Sequence, residues 1–508
     1  MLKGVKCMTV SSTLQRFKAL MKKIKAYDEA LGVLYWDMRT GAPKKGIETR
    51  SEVVGLLSAE RFQMSVSPEM GELLSALSEH MDELSPVEQR MVTECKKEYE
   101  RSRKIPPERY EEYVVLTSKA EAVWEEAKQN ADFESFRPYL EQIVAFNREF
   151  ISYWGTGETP YDALLDMYEP GMTVKQLDAI FGSLKEELVP LVERIAQSPH
   201  QPDTRFLRNT YDLEKQRQFS LFILKEMGYD FDAGRLDVSV HPFATGLNPG
   251  DVRITTNYLP HDFAFSLFSS IHEGGHALYE QNISPDLVHT NLGEGASMAV
   301  HESQSRFWEN MIGRSLPFWR RYYPDLQKTF KEQLEGASLE QFYRAINEVK
   351  PSLIRIEADE LTYNLHIMIR YELEKALFNE GLRVDELPDA WNAKYKAYLN
   401  VEPAHDGEGV LQDVHWSGGA FGYFPSYSLG NMYAAQIMHA LRKEMPDMDA
   451  RIEAGELAPI KDWLKKHIYQ HGMVKTPAEL IEQTTGEALN PVYLTNYLQK
   501  KYKEIYKL

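Results

Sequence analysis

Apolar side chains recur every three or four residues along most of this chain, with charged residues between them. That period gathers the apolar side chains on one face of an α-helix, and the interruptions are short. Start signals support this interpretation, because Thr173 precedes one run and Thr476 precedes Pro477 and Glu479. The sequence therefore predicts a mainly α-helical protein. The clearest predicted helices cover residues 14–31, 87–99, 108–128, 136–153, 174–195, 365–379 and 457–469.

Two stretches depart from the helical period. Residues 236–240 and 252–256 alternate with period two and are rich in β-branched residues, which predicts a small strand pair. The prolines and glycines of residues 241–250, between them, are typical of a loop. The second stretch, residues 401–428, is rich in glycine and aromatic residues. Irregular segments of that length in compact proteins are often functional.

Composition predicts a large folded body. Hydrophobic residues make up 43% of the 508 residues and charged residues 26%, which is enough apolar side chain for a substantial core. No internal repeat, low-complexity tract or flexible linker divides the chain. We therefore expect one domain over residues 1–508, a multi-helix body split by a cleft, with room for a helical lobe on each side of it.

Charge and cysteine content exclude several classes of partner. The formal net charge of −18 repels phosphate backbones and anionic membrane surfaces, so neither nucleic acid nor a membrane is an expected partner. No run of about 20 apolar residues spans a bilayer. Cys7 and Cys95 are too few for a disulfide framework, and the first residues lack the apolar core of a signal peptide. These features predict a cytoplasmic protein.

One motif carries the chemistry. The run His272-Glu273-Gly274-Gly275-His276 lies in a helical apolar pattern over residues 263–281. Two histidines four residues apart share one helix face, so both imidazoles can reach one metal ion. Glu273 then lies near the water that a catalytic metal activates, without itself ligating the ion. The spacing indicates a zinc peptidase in which Glu273 is the general base.

The two glycines of the motif favour function over simple packing. Each glycine inside a helix costs roughly 1 kcal/mol relative to alanine. We expect their missing side chains to leave room for a peptide or a packed neighbour close to the metal. The alternative is a helix with two hydrogen-bonded histidines and glycines required only for helix packing.

A catalytic zinc site needs a third protein ligand and one open position. Glu280, Glu294, His301 and Glu302 are the candidates downstream. Glu280 lies one turn beyond His276 and is better placed to orient a ligand than to be one. Glu302 follows His276 by 26 residues, a separation that allows a helix, a turn and an antiparallel return. Spacing alone does not separate Glu302 from His301 or Glu294.

Six motifs in order resemble the Taq-type metallocarboxypeptidases over most of the chain, and the segment 34–37 with Arg50 resembles the amino-terminal signature of that family. The six are His241-Pro242-Phe243, Asp251-x-Arg253-x-Thr255, His272-Glu273-Gly274-Gly275-His276, His301-Glu302-Ser303-Gln304-Ser305-Arg306, Ile354-Arg355-x-x-Ala358-Asp359 and Gly409-x-x-Gln412-Asp413-x-His415-Trp416.

The resemblance implies a saddle-like or clam-like helical body with a deep central cleft, distantly similar to angiotensin-converting enzyme and oligopeptidases. It implies a homodimer, one zinc or cobalt ion per chain, and release of single carboxy-terminal residues of broad specificity from peptides. Carried over residue by residue, it makes His272, His276 and Glu302 the metal ligands and Glu273 the base. It is the resemblance that selects Glu302.

The wider group of helical zinc peptidases suggests further catalytic residues by similarity. His415 and Tyr423 would donate to the oxyanion of the tetrahedral intermediate, and His241 to a substrate carbonyl. Tyr427 is a rival for the role of Tyr423. The alternative for these aromatic residues is a packing cluster, and for His415 an internal hydrogen bond.

A carboxypeptidase must bind a terminal carboxylate, which suits the planar fork of arginine. Arg355 is the candidate, oriented by an i, i+4 pair with Asp359; the alternative is a plain surface ion pair. We interpret Arg253 and Arg306, the alternatives to Arg355, as structural partners of nearby carboxylates. Strand 252–256 is a candidate for pairing with an extended substrate, which would align its backbone without reading side chains.

Two rival functions remain from the sequence. An oligopeptidase or dipeptidyl carboxypeptidase would use the same metal centre with subsites of different depth. A non-catalytic helical scaffold with a structural metal would need four Cys or His ligands, which this chain does not place near His272.

Overall fold

The computed structural model describes residues 9–508, so Cys7 lies outside the described residues. The chain is helical as far as residue 227. These first helices are α1 (Val10–Thr40), α2 (Ile47–Ser65), α3 (Pro68–Ser78), α4 (Pro86–Lys104), α5 (Pro107–Asn130), α6 (Phe133–Trp154), α7 (Pro160–Leu165), α8 (Val174–Gln197) and α9 (Leu213–Met227).

Three strands follow, and the remainder is helical apart from its connections, of which residues 400–424 form the longest irregular one. The strands are β1 (Leu236–Val238), β2 (Ala244–Asn248) and β3 (Asp251–Thr256). The later helices are α10 (Phe263–Glu280), α11 (Met298–Arg306), α12 (Leu316–Thr329), α13 (Leu339–Ala345), α14 (Tyr363–Lys375), α15 (Leu387–Leu399), α16 (Pro425–Glu444), α17 (Met448–Ala454), α18 (Ala458–His467), α19 (Pro477–Thr485) and α20 (Val492–Tyr506).

The predicted mainly helical fold is confirmed. Five of the predicted segments lie within α1, α4, α5, α6 and α8, and the segment 365–379 runs from α14 into a π-helical turn, Ala376–Glu380. Both predicted starts are capped: Thr173 forms a reciprocal capping box with Gln176, and Thr476 forms one with Glu479. Both helix starts could be predicted from the sequence because each capping side chain bonds to the first turn of its own helix.

The sheet corrects two sequence predictions. It has three strands in the order β1-β3-β2, so the predicted loop 241–250 contains β2, which pairs antiparallel with β3. β1 pairs with β3 in parallel. β3 is thus the central strand, with a partner on each side, and the prediction that it adds a substrate strand along its edge is wrong. The sheet itself lies beside α10, as expected.

One connected set of buried apolar side chains extends from Phe17 in α1 to Tyr506 in α20. Within the described residues, no helix is both long enough and apolar enough to cross a bilayer. The irregular stretch expected over 401–428 ends earlier, because Pro425 begins α16.

Candidate metal centre and active site

Three side chains from two helices converge as a metal site. His272 and His276 lie on α10 and Glu302 on α11, and one atom from each forms a group within 4.8 Å. Glu302 Oε2 is 3.6 Å from His272 Nε2 and 3.5 Å from His276 Nε2. Tetrahedral zinc with bonds of about 2.1 Å places its ligand atoms about 3.4 Å apart. The three residues therefore fit a divalent ion with one position left for water or substrate.

Glycines let the two ligand helices approach each other. A Cβ atom on Gly275 of α10 would lie 2.6 Å from the carbonyl oxygen of Gln304 in α11. On the other side of α11, a Cβ on Gly430 of α16 would lie 2.7 Å from Glu302 Cγ. The sequence predicted that the motif glycines leave room for either a peptide or a packed neighbour, and a packed neighbour, α11, is what the structure shows at Gly275. Glu302 reaches the histidines because α11 packs between two glycine-bearing helices.

The other candidate ligands have different partners. His301 Nε2 lies 2.7 Å from Glu280 Oε1, and the His301 ring stacks on His276 with centroids 4.4 Å apart. Glu280 therefore binds a residue beside the site and not a ligand. Glu294 is paired with Lys25. Geometry thus selects Glu302 among the residues that spacing left open.

A second layer of charges surrounds the triad. Glu309 Oε2 lies 2.9 Å from His272 Nδ1, and Arg306 Nε lies 2.7 Å from Glu302 Oε1. Arg306 and Arg314 also bind Glu309, each at 3.2 Å. Since Arg306 occupies Oε1 of Glu302, only Oε2 faces the histidines. Sequence reasoning missed Glu309, which lies in the π-helical segment Phe307–Gly313 that follows α11 and therefore departs from the α-helical spacing.

Electrostatics hold Glu302 and His276, but not His272, in their metal-ligating forms. Although burial opposes it, the charge of Arg306 and of His272 keeps the pKa of Glu302 well below its ordinary value. Burial and the charge of His301 lower the pKa of His276 to about 3, so its imidazole is neutral. A carboxylate and a neutral imidazole are the forms that ligate a metal. Despite its burial, which acts in the other direction, the charge of Glu302 and the contact with Glu309 raise the pKa of His272 above its ordinary value, so a metal must displace the proton of that imidazole.

Glu273 is held in the same buried pocket without ligating. Burial raises the pKa of Glu273 to about 7, an effect that the charge of His272 partly offsets. Its side chain is not part of the group that gathers around one point. A carboxylate whose pKa lies near neutrality suits the transfer of a proton in both directions.

Arg355 is buried but does not pair with Asp359, so that prediction is wrong. It opens a 3₁₀ turn, Arg355–Glu357, and its Nε and Nη2 atoms donate to Asp413 Oδ1 at 3.0 and 2.7 Å. Its Nη1 donates to the Tyr363 hydroxyl at 2.9 Å. The carboxylate of Asp359 instead accepts hydrogen bonds from Thr362. A 3₁₀ turn does not align i and i+4, which explains the difference.

The arginine retains unused hydrogen-bond capacity. Arg355 is 5% exposed, and three of its five N–H donors bind Asp413 and Tyr363, which leaves two. Arg370 also binds Asp413, at 2.7 Å, so the two cations outnumber the one carboxylate. The cluster thus carries a net positive charge next to a candidate peptide site.

His415, Tyr423 and Tyr427 form one aromatic group. His415 Nε2 lies 3.2 Å from the Tyr427 hydroxyl, and the rings of His415 and Tyr423 are 5.3 Å apart. Burial lowers the pKa of His415 to about 4. Burial and the negative charge of Glu302 raise the pKa of Tyr423 to about 12. Both groups are therefore neutral, and the hydroxyl of Tyr423 lies within electrostatic reach of Glu302.

The structure leaves two predicted residues outside this group. The His241 side chain is exposed, and it is not a member of the group formed by His272, His276 and Glu302. Arg253 pairs with Asp251 at 2.7 Å and faces the Trp36 ring, which agrees with its reading as the partner of a nearby carboxylate.

Comparisons with known proteins agree with this geometry. The model of the Carboxypeptidase Taq (M32) metallopeptidase family matches residues 16–502. Carboxypeptidase 1 of Bacillus subtilis (strain 168) is 53% identical over 97% of this chain and 99% of its own length. Thermostable carboxypeptidase 1 of Thermus thermophilus is 44% identical over 95% of this chain and 96% of its own length.

The fold agrees as well. The crystal structure of an M32 carboxypeptidase from Deinococcus radiodurans R1 superposes with a TM-score of 0.95 at 38% identity, covering 98% of this chain and all of that one. A match over nearly the whole chain, together with a His-His-Glu triad on two helices, leads to one conclusion. The chain belongs to the Taq-type M32 metallocarboxypeptidase family and is a peptide hydrolase.

Proposed function

We propose that this enzyme releases single residues of broad identity from the carboxy terminus of peptides. One observation carries the proposal. Tyr363 lies between the two halves of the site: Arg306, which binds Glu302, has its guanidinium 4.4 Å from the centre of the Tyr363 ring, and Arg355 donates to the Tyr363 hydroxyl. A buried arginine so close to the metal triad supports recognition of a chain end next to the scissile bond.

His272, His276 and Glu302 would bind one divalent ion. When bound, such an ion polarises the scissile carbonyl and acidifies water. Glu273 accepts the proton of the attacking water on its carboxylate and later donates it to the departing amine. The position of Glu273 one residue after His272, and its pKa near 7, support one carboxylate acting as base and then as acid.

Arg355 would bind the terminal carboxylate through its two remaining N–H donors. Asp413 and Tyr363 fix the plane of the guanidinium, so little side-chain entropy is lost when the substrate binds. A neutral group at the same place, such as a terminal amide, would leave uncompensated the positive charge by which Arg355 and Arg370 together exceed Asp413. This supports selection for a free carboxy terminus.

Tyr423 and His415 would donate to the oxyanion of the tetrahedral intermediate. Both are neutral and half-buried beside the triad, and Tyr427 contacts His415 and would orient its ring. Tyr427 stays the rival donor. We retain His241 as a donor to a backbone carbonyl of the substrate; its exposure leaves its imidazole accessible to a peptide.

Zinc is the proposed ion, with cobalt as the alternative, since the donor set of two imidazoles and one carboxylate suits either. We further propose one domain over residues 1–508 and a cytoplasmic homodimer that acts on peptides and neither on nucleic acid nor at a membrane. The continuous core supports the single domain, and the low cysteine content supports a reducing compartment.

Product mapping tests the proposal directly. The protein is loaded with zinc and incubated with a peptide of ten residues, and the fragments are followed by mass spectrometry. We expect a ladder that shortens by one residue at a time from the carboxy end and that stops on addition of a chelator. Steps of two residues, or internal cuts, would instead establish the dipeptidyl carboxypeptidase or oligopeptidase alternative.

A matched pair of variants tests the base. Glu273→Gln is expected to keep its zinc and lose kcat by about 10²- to 10⁴-fold, because the proton acceptor is gone. Glu280→Gln, on the same helix but bound to His301, is the control and should keep most of its kcat. Near-normal turnover in metal-loaded Glu273→Gln would reject the assignment.

A further inference from the structure

A buried carboxylate outside the metal centre contacts the segment that carries the proposed oxyanion donors. Glu374 lies on α14 and is 0% exposed. Its Oε1 accepts from Trp416 Nε1 at 2.7 Å, and its Oε2 accepts from the Gly422 backbone N–H at 2.8 Å. Its third donor is the Tyr161 hydroxyl, 2.5 Å from Oε2.

These contacts bracket the two proposed donors. Trp416 directly follows His415, and Gly422 directly precedes Tyr423. One side chain therefore binds the backbone at one end of the 416–422 turn and an indole at the other. The two oxygens of one carboxylate thus bind Trp416 and Gly422, and through these residues they constrain the separation of the neighbouring His415 and Tyr423.

Other contacts leave the turn little freedom to move independently. A Cβ atom on Gly422 would lie 2.6 Å from the Leu164 backbone, so the turn packs directly on α7, and the φ of +89° at Gly422 suits only glycine. One helical turn before Glu374, Arg370 binds Asp413, two residues before His415. α14 thus anchors the segment at Asp413, Trp416 and Gly422.

We propose that Glu374 is a positioning residue for catalysis, which sets the relative placement of His415 and Tyr423. Neither oxygen of Glu374 needs to reach substrate for this role. Oxyanion donors act only when their hydrogen atoms point at the place where charge develops, and a small displacement removes most of the effect. This inference rests on the proposed roles of His415 and Tyr423.

Glu374→Gln tests it, because glutamine keeps the shape but presents an N–H group to at least one of three donors. Tyr161→Phe is the matched control, since it removes one hydrogen bond from the same carboxylate and leaves both bonds to the turn. Both variants are assayed as zinc-loaded protein for thermal midpoint, kcat, KM and inhibition by a peptide phosphonate, whose tetrahedral phosphorus mimics the intermediate.

We expect both variants to lose thermal stability, but only Glu374→Gln to lose about tenfold or more in kcat and in phosphonate affinity, with KM within about threefold. Should Glu374→Gln not fold, Trp416→Phe, which removes the indole donor together with part of a buried ring, is expected to give the same kinetic pattern with a further loss of stability. Equal kinetic losses in the test variant and in Tyr161→Phe would overturn the inference.

Tyr423→Phe separates this inference from the function it rests on. If Tyr423→Phe loses kcat and Glu374→Gln does not, the positioning role is wrong and the oxyanion role stands. If Tyr423→Phe keeps its kcat, the proposed role of Tyr423 as an oxyanion donor is wrong. The inference that Glu374 positions Tyr423 for catalysis then fails as well.

Discussion

Glu309 Oε2 lies 2.9 Å from His272 Nδ1, on the side of the imidazole opposite the atom that faces Glu302. This contact orients the ring and makes its free nitrogen more basic toward a metal. The corresponding Nδ1 of His276 is buried and has no hydrogen-bond partner within residues 9–508. The two histidines are therefore unequal, and His272 is the one that an outer carboxylate supports.

Glu309→Gln should weaken zinc binding by about tenfold or more, because it removes the charge that supports His272. The dissociation constant is measured by competition with a chromogenic chelator. Glu280→Gln is the control, since Glu280 binds His301, which is not a ligand; its affinity is expected within about twofold of the parent. Equal losses in both variants would show a general effect of charge near the site.

Gly275→Ala should destabilise the protein by about 1–3 kcal/mol and weaken metal binding, because the new methyl group meets the backbone of α11 and displaces Glu302. Gly274→Ala is the matched control. Its Cβ would meet the ends of the Leu224 and Met227 side chains, at 2.6 and 3.2 Å, and not the backbone of α11, and alanine also favours the helix. The thermal midpoint and the zinc affinity are measured for both variants. Equal losses in the two would contradict the inference that Gly275 is required for the close approach of α10 and α11.

Arg355→Ala should lower kcat/KM for a peptide with a free carboxy terminus by about 10- to 100-fold, which corresponds to one charge-assisted hydrogen-bonded contact. A peptide of the same sequence with an amidated end should be affected far less. Rates on both peptides are compared for parent and variant. Equal losses on the two would exclude Arg355 as the carboxylate-binding group.

Glu169→Gln should change the pH dependence of stability. Glu169 is 3% exposed, and burial raises its pKa to about 7. The folded state therefore binds its proton more tightly than the unfolded state, so its contribution to stability is complete below about pH 4.5 and decreases as pH rises through 7. Relative to the parent, the glutamine variant should gain up to about 3 kcal/mol between pH 4.5 and 8.

Differential scanning fluorimetry across that pH range measures the effect. The hydrogen bond from Tyr433 to Glu169 at 2.6 Å supplies the control variant Tyr433→Phe, which removes a partner but keeps the titrating group. Its midpoint should still vary with pH, with the profile displaced toward higher pH, because the Tyr433 hydrogen bond lowers the pKa of Glu169. A constant offset between Glu169→Gln and the parent at every pH would show that Glu169 does not titrate in this window.

Much of the fold could be predicted from local pattern. The apolar period identified α1, α5 and α8 because a helix satisfies its own backbone hydrogen bonds and needs only one apolar face. The strand β2 was missed because its residues, which include Gly246, lack the β-branched alternation of β3. A short strand beside a better one forms through its pairing, and pairing is not local.

The candidate site divides in the same way. Spacing of four residues placed His272 and His276 on one face of α10, because helix geometry alone determines that. The choice of Glu302 over His301 depended on where α11 packs, and the partner of Arg355 proved to be Asp413, 58 residues away in sequence. Neither Glu309 nor Glu374 belongs to a motif that spacing reveals.

The sequence by itself therefore determined the helical class, the helix that carries the candidate histidine ligands with the proposed general base, and the family. Tertiary structure brought the proposed third ligand, Glu302, to the two histidines, and it decided the partners of Arg355 and the anchoring of the turn between His415 and Tyr423. The physical reason is the separation in sequence between the residues that interact. Helical periodicity acts between neighbours on one turn, whereas ligand sets and buried ion pairs form only when distant segments pack close enough to exclude water.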